Sequence, residues 1–484
     1  MHKNNNLTTH NSLFYFLGAA TFVVSTATAA LPQGGQIVHG DVTFTRDGNN
    51  LHIQQGSQSA IVNWEQFNIG AGEALNVMQP GAQAAFLARV IGADPSQLLG
   101  NLNANGRFYL INPNGVVVGS GANINVGEFI ASTLDVADED FLNGGSLLFE
   151  GENSNSVINL GKIEASNGDI VLLAHHVINQ GELDANQGAV ALGAGDRILL
   201  TPAKDQRLTI ETSVPRGLET GIDNQGVINA VQAEMQAAGG DVYSLAINQS
   251  GIVRATGVEN RDGRVLLVAD QGTINIDGAL SAHNADGQGG EIFVGGGDAG
   301  NNPNIANASE VTVSAASNID IASRSANGDG GHAVFWADER MEFRGHIDGQ
   351  GGSQSGDGGY TEVSSPKNIT YSGLADLRAA NGETGTLLID PDAATVSTDA
   401  DSANNFNNAT VSANLELNNF TIDTSRQDGD ISVNALIITD KTAQSYGGPQ
   451  PTFRYSATQA VTVYSAAIDT VRSTMNNVGE LGKQ

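Results

Sequence analysis

Three groups of side chains in this sequence are candidates for chemistry. Asp169, Asp196 and Asp241 each border a short apolar run, and carboxylates on one outer face of a stacked-strand fold would bind a sugar chain and its cation. They also sit where turn chemistry alone selects aspartate. His175 and His176 offer two imidazoles to a metal, but neighbours on a strand project to opposite faces, so the two cannot chelate one ion and read as a surface pair. Gly328-Asp329-Gly330-Gly331 and Gly356-Asp357-Gly358-Gly359 share the composition of calcium-binding nonapeptides without their tandem nine-residue spacing, and read as corner turns. The chain has no serine-nucleophile motif, Walker loop or HExxH. No catalytic, cofactor-binding or metal-binding residue is therefore assigned, and the chain reads as a non-enzyme.

A fourth candidate is a turn. In FYLINPNGVVVG, Phe108 to Gly119, two apolar runs flank Asn112-Pro113-Asn114-Gly115. Asn112 can cap with its side chain, Pro113 presets φ, Asn114 tolerates the third position and Gly115 closes a type I turn. Such a turn holds two early strands in register.

The elements that carry these residues repeat. NLGKIEASNGDIVLLA from Asn159 lies without a gap on NQGELDANQGAVALGA from Asn179, so that Asn159 meets Asn179, Gly161 meets Gly181, Ile163 meets Leu183 and Ile170 meets Val190. Looser copies start at Asn224, Asn248 and Asp270. A period near twenty, with alternating residues followed by a brief apolar run, predicts short strands and tight turns coiled into a solenoid. The expected fold is all-β, a right-handed parallel β-helix with an amino-terminal cap and extra hairpins. Gly-rich turns before EIFV, HAVFW and YTEVS at 291, 332 and 360 fit corners that need positive φ. About ten coils between Ser154 and Ser372, at roughly 4.8 Å each, give a rod on the order of 50 Å long. The aromatic fraction of 5% predicts a thin aliphatic core with no bulky central cluster.

Composition narrows the setting. Among 484 residues there is no cysteine, there are 60 glycines, only 15% are charged, and the formal net charge is -30. An acidic chain with scattered lysines does not bind nucleic acid. His2 and Lys3, an apolar run from Leu13 to Val24 and Ala27-Thr28-Ala29 form a secretory signal peptide cleaved between Ala29 and Ala30. That run is shorter than the about 20 residues that span a bilayer, so no membrane segment is expected in the mature chain. Without disulfides, burial and backbone hydrogen bonds must hold the fold.

The amino-terminal text is similar to a known family. IVNWEQFNIGAGEALNVMQP (Ile61 to Pro80), FLARVIGADPSQLLGNLNANGRFYLINPNGVVVGSGANINVGEFIAST (Phe86 to Thr133) and VINQGELDANQGAVALGAGDRI (Val177 to Ile198) resemble the secretion domain of filamentous haemagglutinin and other two-partner (type V) secretion exoproteins. The resemblance implies recognition by an outer-membrane β-barrel transporter with periplasmic docking domains, passage in an unfolded state and folding outside. It implies a secreted or surface-held adhesin of a Gram-negative cell, with a host glycan or protein receptor, and makes Asn112, Pro113, Asn114 and Gly115 part of a transporter-recognition motif. Two features depart from the family. No NPNL element stands in the amino-terminal block, where Asn302-Pro303-Asn304 is far downstream, and Ala88 precedes Arg89-Val90 where asparagine is frequent.

These readings divide the chain into a signal peptide (1–29), a secretion domain (30–153), a β-helical repeat region (154–393) and an Asn/Ser-rich tail (394–484). Asp390-Pro391 marks the last boundary, and SYGGPQPTFRYSATQ from Ser445 is similar to the start of an adhesin β-sandwich repeat. Too few residues follow to finish one, so a truncated product or fragment is expected. The alternatives are a β-helical polysaccharide-active enzyme, as in pectin lyases, and the stalk of a toxin whose effector lies beyond residue 484.

Overall fold

The computed structural model describes residues 31–201, 208–210, 221–238, 245–259, 262–426, 429–435, 437, 453–456 and 461–463. The segment expected to be a signal peptide, with Ala29 and Ala30, lies outside them, as does Asp241.

The first coils show the construction. In chain order the strands are β1 (Gln36–His39), β2 (Val42–Asp47), β3 (Asn50–Gln55), β4 (Ser59–Trp64), β5 (Ala74–Met78), β6 (Ala85–Val90), β7 (Ser96–Leu98), β8 (Asn101–Ala104), β9 (Arg107–Ile111), β10 (Val116–Val118), β11 (Asn123–Val126) and β12 (Glu128–Ser132). Strand β3 pairs parallel with β5, β5 with β8 and β8 with β11. A second wall runs β4, β6, β9, β12, and a third begins with β7 and β10. Each coil thus contributes one strand to each of three parallel walls, and parallel crossovers take the right-handed sense. Antiparallel partners close the first end, β1 on β4 and β2 on β3, so the opening coil does not offer its edge directly to another chain.

The twenty-residue overlay is the observed register: Asn159 pairs with Asn179, Ile163 with Leu183 and Ile170 with Val190. The looser copies need correction. Asn224 pairs with Gln249 rather than Asn248, because the extra residue in NQSG moves the amide one place along. The stretch from Asp270 is out of phase, and Ile276 takes the position after Gln249. The third wall has ten strands, eight of them between Ser156 and Tyr371. Eight coils occupy the span expected to hold about ten, since long excursions lengthen several of them.

Side chains stack as rigidly as backbones. Buried Asn159 donates to Asn179 (2.9 Å), Asn179 to Asn224 (2.7 Å) and Asn224 to Gln249 (2.6 Å), which satisfies each amide inside the wall. Glycine at the corners serves close approach more than positive φ. A Cβ on Gly331 would lie 2.2 Å from the Gly290 carbonyl, and one on Gly385 would lie 2.0 Å from that of Gly359. Positive φ applies at Gly287 and Gly356, the first residues of two of these turns.

The core is aliphatic only in its middle. From Val157 to Ile321 the main cluster contains no aromatic ring, whereas Phe86, Phe108 and Phe129 stack in adjacent coils near the first end. Phe343 stacks on Tyr371, which packs against Phe420, towards the other end. Bulky rings fit a thin coil where they rest on the ring of the next coil in the same register, as Phe86, Phe108 and Phe129 do and as Phe343 does on Tyr371, which the composition could not reveal.

Stacking continues past Asp390-Pro391. Thr386–Asp390 pairs parallel with Asn419–Asp423, which in turn takes Phe453–Ser456 on its far side. Alternating Phe420 and Ile422 register on Leu387 and Ile389, so inward periodicity survives after the glycine turns stop. The strand at Phe453, read from sequence as the opening of a β-sandwich, pairs here as another rung. The stretch 445–452 lies outside the described residues.

Two excursions cover outer faces. A four-stranded antiparallel sheet, Asp135–Val136, Leu147–Glu150, Arg197–Leu200 and Leu208–Ile210, joins the helix Asp138–Asn143 in burying Leu87, Tyr109, Ile130 and Val171 beneath Phe141, Phe149 and Ile198. Farther along, the loop 295–309 lays Ile305 over Leu266, Val268, Phe293, Val334 and Trp336.

Candidate functional site

The NPNG segment leaves β9 and enters β10, and its geometry is that of a closed turn. The Gly115 amide donates to the Asn112 carbonyl at 3.0 Å, and the Asn114 amide donates to Asn112 Oδ1 at 2.9 Å. Gly115 has φ +113°, and a Cβ there would meet the Ser156 carbonyl at 3.3 Å.

Contacts beyond the turn tie three coils together. Asn112 is 0% exposed. Its Nδ2 donates to the Asp94 carbonyl and to Ser96 Oγ, both at 3.0 Å, while Asn114 Nδ2 donates to the Gly92 carbonyl at 2.8 Å. From the following coil Asn155 Nδ2 donates to the Pro113 carbonyl at 2.7 Å. The motif is thus a vertical staple, with Pro113, Asn114 and Gly115 in sequence order along the rod edge and Asn112 sealed within it. Sequence reasoning found the turn but not Gly92, Asp94, Ser96 or Asn155. Only Asn155, an amide bordering an apolar run, carried any local signal.

Arg89 fastens the antiparallel sheet beside this staple. Its Nε donates to Asp135 Oδ1 (2.9 Å), Nη1 to Asp138 Oδ1 (2.6 Å) and Nη2 to the Val136 carbonyl (2.7 Å). Burial works against the guanidinium charge, but Asp138 and Asp135 outweigh it, and its pKa lies above the ordinary arginine value. The preceding Ala88 is buried and registers on Leu110. Asparagine there would need polar partners that this apolar position lacks.

The other candidates do not converge. Asp169 accepts the Ala189 amide at 2.8 Å, and Asp196 lies 3.3 Å from His175 Nδ1. His175 is buried against that aspartate, and His176 is half-buried, which corrects the reading of a surface pair. The chain turns into its next strand between them. Among the described residues no group of three His, Cys, Asp or Glu is placed to hold a metal, and no helix is long and apolar enough to cross a membrane.

Comparison with known proteins follows the same region. The profile of the TPS secretion domain matches residues 28–282, more than half of the chain. The chain belongs to the TPS secretion domain family. A heme/hemopexin-binding protein of Haemophilus influenzae strain Rd is 33% identical over 263 residues, 51% of this chain and 28% of that protein. A second heme/hemopexin-binding protein of H. influenzae is 30% identical over 319 residues, 60% of this chain and 33% of that protein. The chain therefore spans a third or less of the length of these curated relatives. The crystal structure of the HMW1 secretion domain from H. influenzae superposes with a TM-score of 0.53 at 26% identity, covering 73% of this chain and all of that one. Both the staple at Asn112 and the Arg89 clamp fall inside the TPS match, as do the first seven strands of the third wall.

Proposed function

We propose that the chain is an exported, adhesin-like exoprotein, passed unfolded through an outer-membrane β-barrel transporter with periplasmic docking domains and folding outside as a β-helical rod. The observation that carries this is the TPS match across residues 28–282, laid over coils that each form on the edge of the one before. The absence of cysteine suits a chain that must remain threadable. Signal-peptide cleavage at Ala29-Ala30 and retention at the cell surface belong to the same reading. The reading assigns no catalytic residue, and Asp169 and Asp196 are engaged at separate corners.

Because Asn112 is sealed in the folded rod, a role of NPNG in transporter recognition belongs to the unfolded chain. Two variants separate recognition from folding. Asn112→Ala with Asn114→Ala removes motif and staple together, while Ser96→Ala removes only a partner of the staple. Secretion is measured in a strain supplying the transporter, with circular dichroism of each purified variant. Recognition predicts lost export for the first variant and normal export for the second. Equal losses in both would reduce NPNG to a folding element, and export without any transporter would overturn the reading as a whole.

A further inference from the structure

The outer face of the first wall holds a row of polar groups, three of the five without a side-chain partner among the described residues. Register places Thr45, His52, Asn76, Asn103 and Asn125 in one line across β2, β3, β5, β8 and β11, one side chain per strand at about 4.8 Å. A second, shorter row sets Thr43, Gln54 and Met78 beside it. Together they floor a groove of about 910 Å³. Asn103 Nδ2 donates to Asn76 Oδ1 at 3.0 Å, which fixes the central pair. Thr43, Thr45, His52, Gln54 and Asn125 make no side-chain hydrogen bond to any described residue.

Charge singles this face out. The groove is lined by no Asp, Glu, Lys or Arg, in a chain of net charge -30. Beyond Asn125 the same line becomes acidic, with Glu164 and then Asp184. An anionic ligand would be repelled at that end, and a cationic one finds no counter-charge in the groove. Strands β3, β5, β8 and β11 have spent their backbone groups on both neighbours, so an extended peptide could join only at the outer edge of β2 and not along the groove floor.

We infer that this groove binds a neutral glycan chain. Amide, hydroxyl and imidazole groups that both donate and accept match sugar hydroxyls, which do the same. One such group per strand repeats at about the length a pyranose ring adds to a chain. Met78, 63% exposed, offers an apolar surface to the C–H face of a ring. The inference rests on the exported-adhesin reading but is tested apart from it, because purified protein needs no transporter.

The test applies the purified chain to an immobilised array of neutral oligosaccharides (mannosides, glucans, galactosides, lactosamine chains) beside sialylated and sulfated ones. Binding confined to neutral chains is expected, weakened about tenfold or more by Asn103→Asp and by Met78→Glu, and unchanged by Asn318→Asp on a distant coil. Circular dichroism confirms that each variant is folded. No binding to any neutral chain, a preference for acidic chains, or full binding by both groove variants would overturn the inference. So would a dimer in sedimentation velocity that the same two variants dissolve, which would assign the groove to a second copy of the chain.

Discussion

The same turn is built twice in this chain, in opposite surroundings. At 302–305 the Asn304 amide donates to Asn302 Oδ1 at 3.0 Å and the Ile305 amide to the Asn302 carbonyl at 3.1 Å, repeating the bonds at 112–115. Yet Asn302, Pro303 and Asn304 are all exposed, and their loop is held by other groups. Trp336 packs under Gly296 and Gly300, the Ala299 amide donates to Glu362 Oε1 at 3.1 Å, and Asp298 lies 2.8 Å from His332. The turn sequence therefore specifies only local geometry. What distinguishes NPNG is where Asn112 points, and three coils converge there.

The comparison can be broken by mutation, and the expected effects run downward in size. Asn112→Ala leaves Ser96 Oγ and the Asp94 carbonyl without their buried donor and should cost about 3 kcal/mol locally. Hydrogen exchange read by mass spectrometry should show faster exchange in residues 92–118 and 153–159. Retained protection there would mean that the staple is dispensable. Gly115→Ala forces a side chain into φ +113°, at a cost of about 1–2 kcal/mol, visible over the same residues but weaker.

The second turn has a titratable anchor where the first has amides. Beside Glu362 lies Asp390, whose carboxyl is pushed up to about 7 by burial, with Arg426 pulling it down and Asp423 and Glu362 raising it further. Arg426 Nη1 contacts Asp390 at 2.8 Å and Glu362 at 3.6 Å. The folded-state pKa exceeds the unfolded one, so the contribution to stability is complete below the ordinary aspartate range and is lost as pH rises through about 7. Stability around 362–390 should therefore increase from pH 8 to pH 5. Asp390→Asn should raise the melting temperature by about 2–4 °C at pH 8, with a smaller gain near pH 5 and none below about pH 4. A gap that does not depend on pH would sink this account. The staple at Asn112 should show no such pH response. Smallest of all, Asn302→Ala should change stability by about 0.5 kcal/mol or less, and exchange around Asn112 should not change.

What could be read in the sequence follows from the same contrast. Coils of equal length announce themselves, and Asn159 and Asn179, twenty residues apart, aligned correctly because nothing intervenes between them. Pro113 and Asn155 are 42 residues apart, separated by the helix and two strands of the covering sheet, so no fixed period links them. Gln249 was misplaced by one inserted residue. The aromatic columns escaped because composition counts rings without their register. Tail strands were missed because asparagine-rich text hides a period of two that Phe420 and Ile422 still keep.

The amide column has a direction. Its first member, Asn159, accepts from the Gly161 amide at 3.2 Å, each later side chain accepts from the one before, and Gln249 Nε2 closes the series on the Gly251 carbonyl at 2.9 Å. No rung is interchangeable with its reverse, since one flipped amide would set two donors or two acceptors face to face. A coil docked one residue out of step would break the sequence at two junctions. The column acts as a parity check written in side chains, rejecting a misplaced coil before the next is laid upon it.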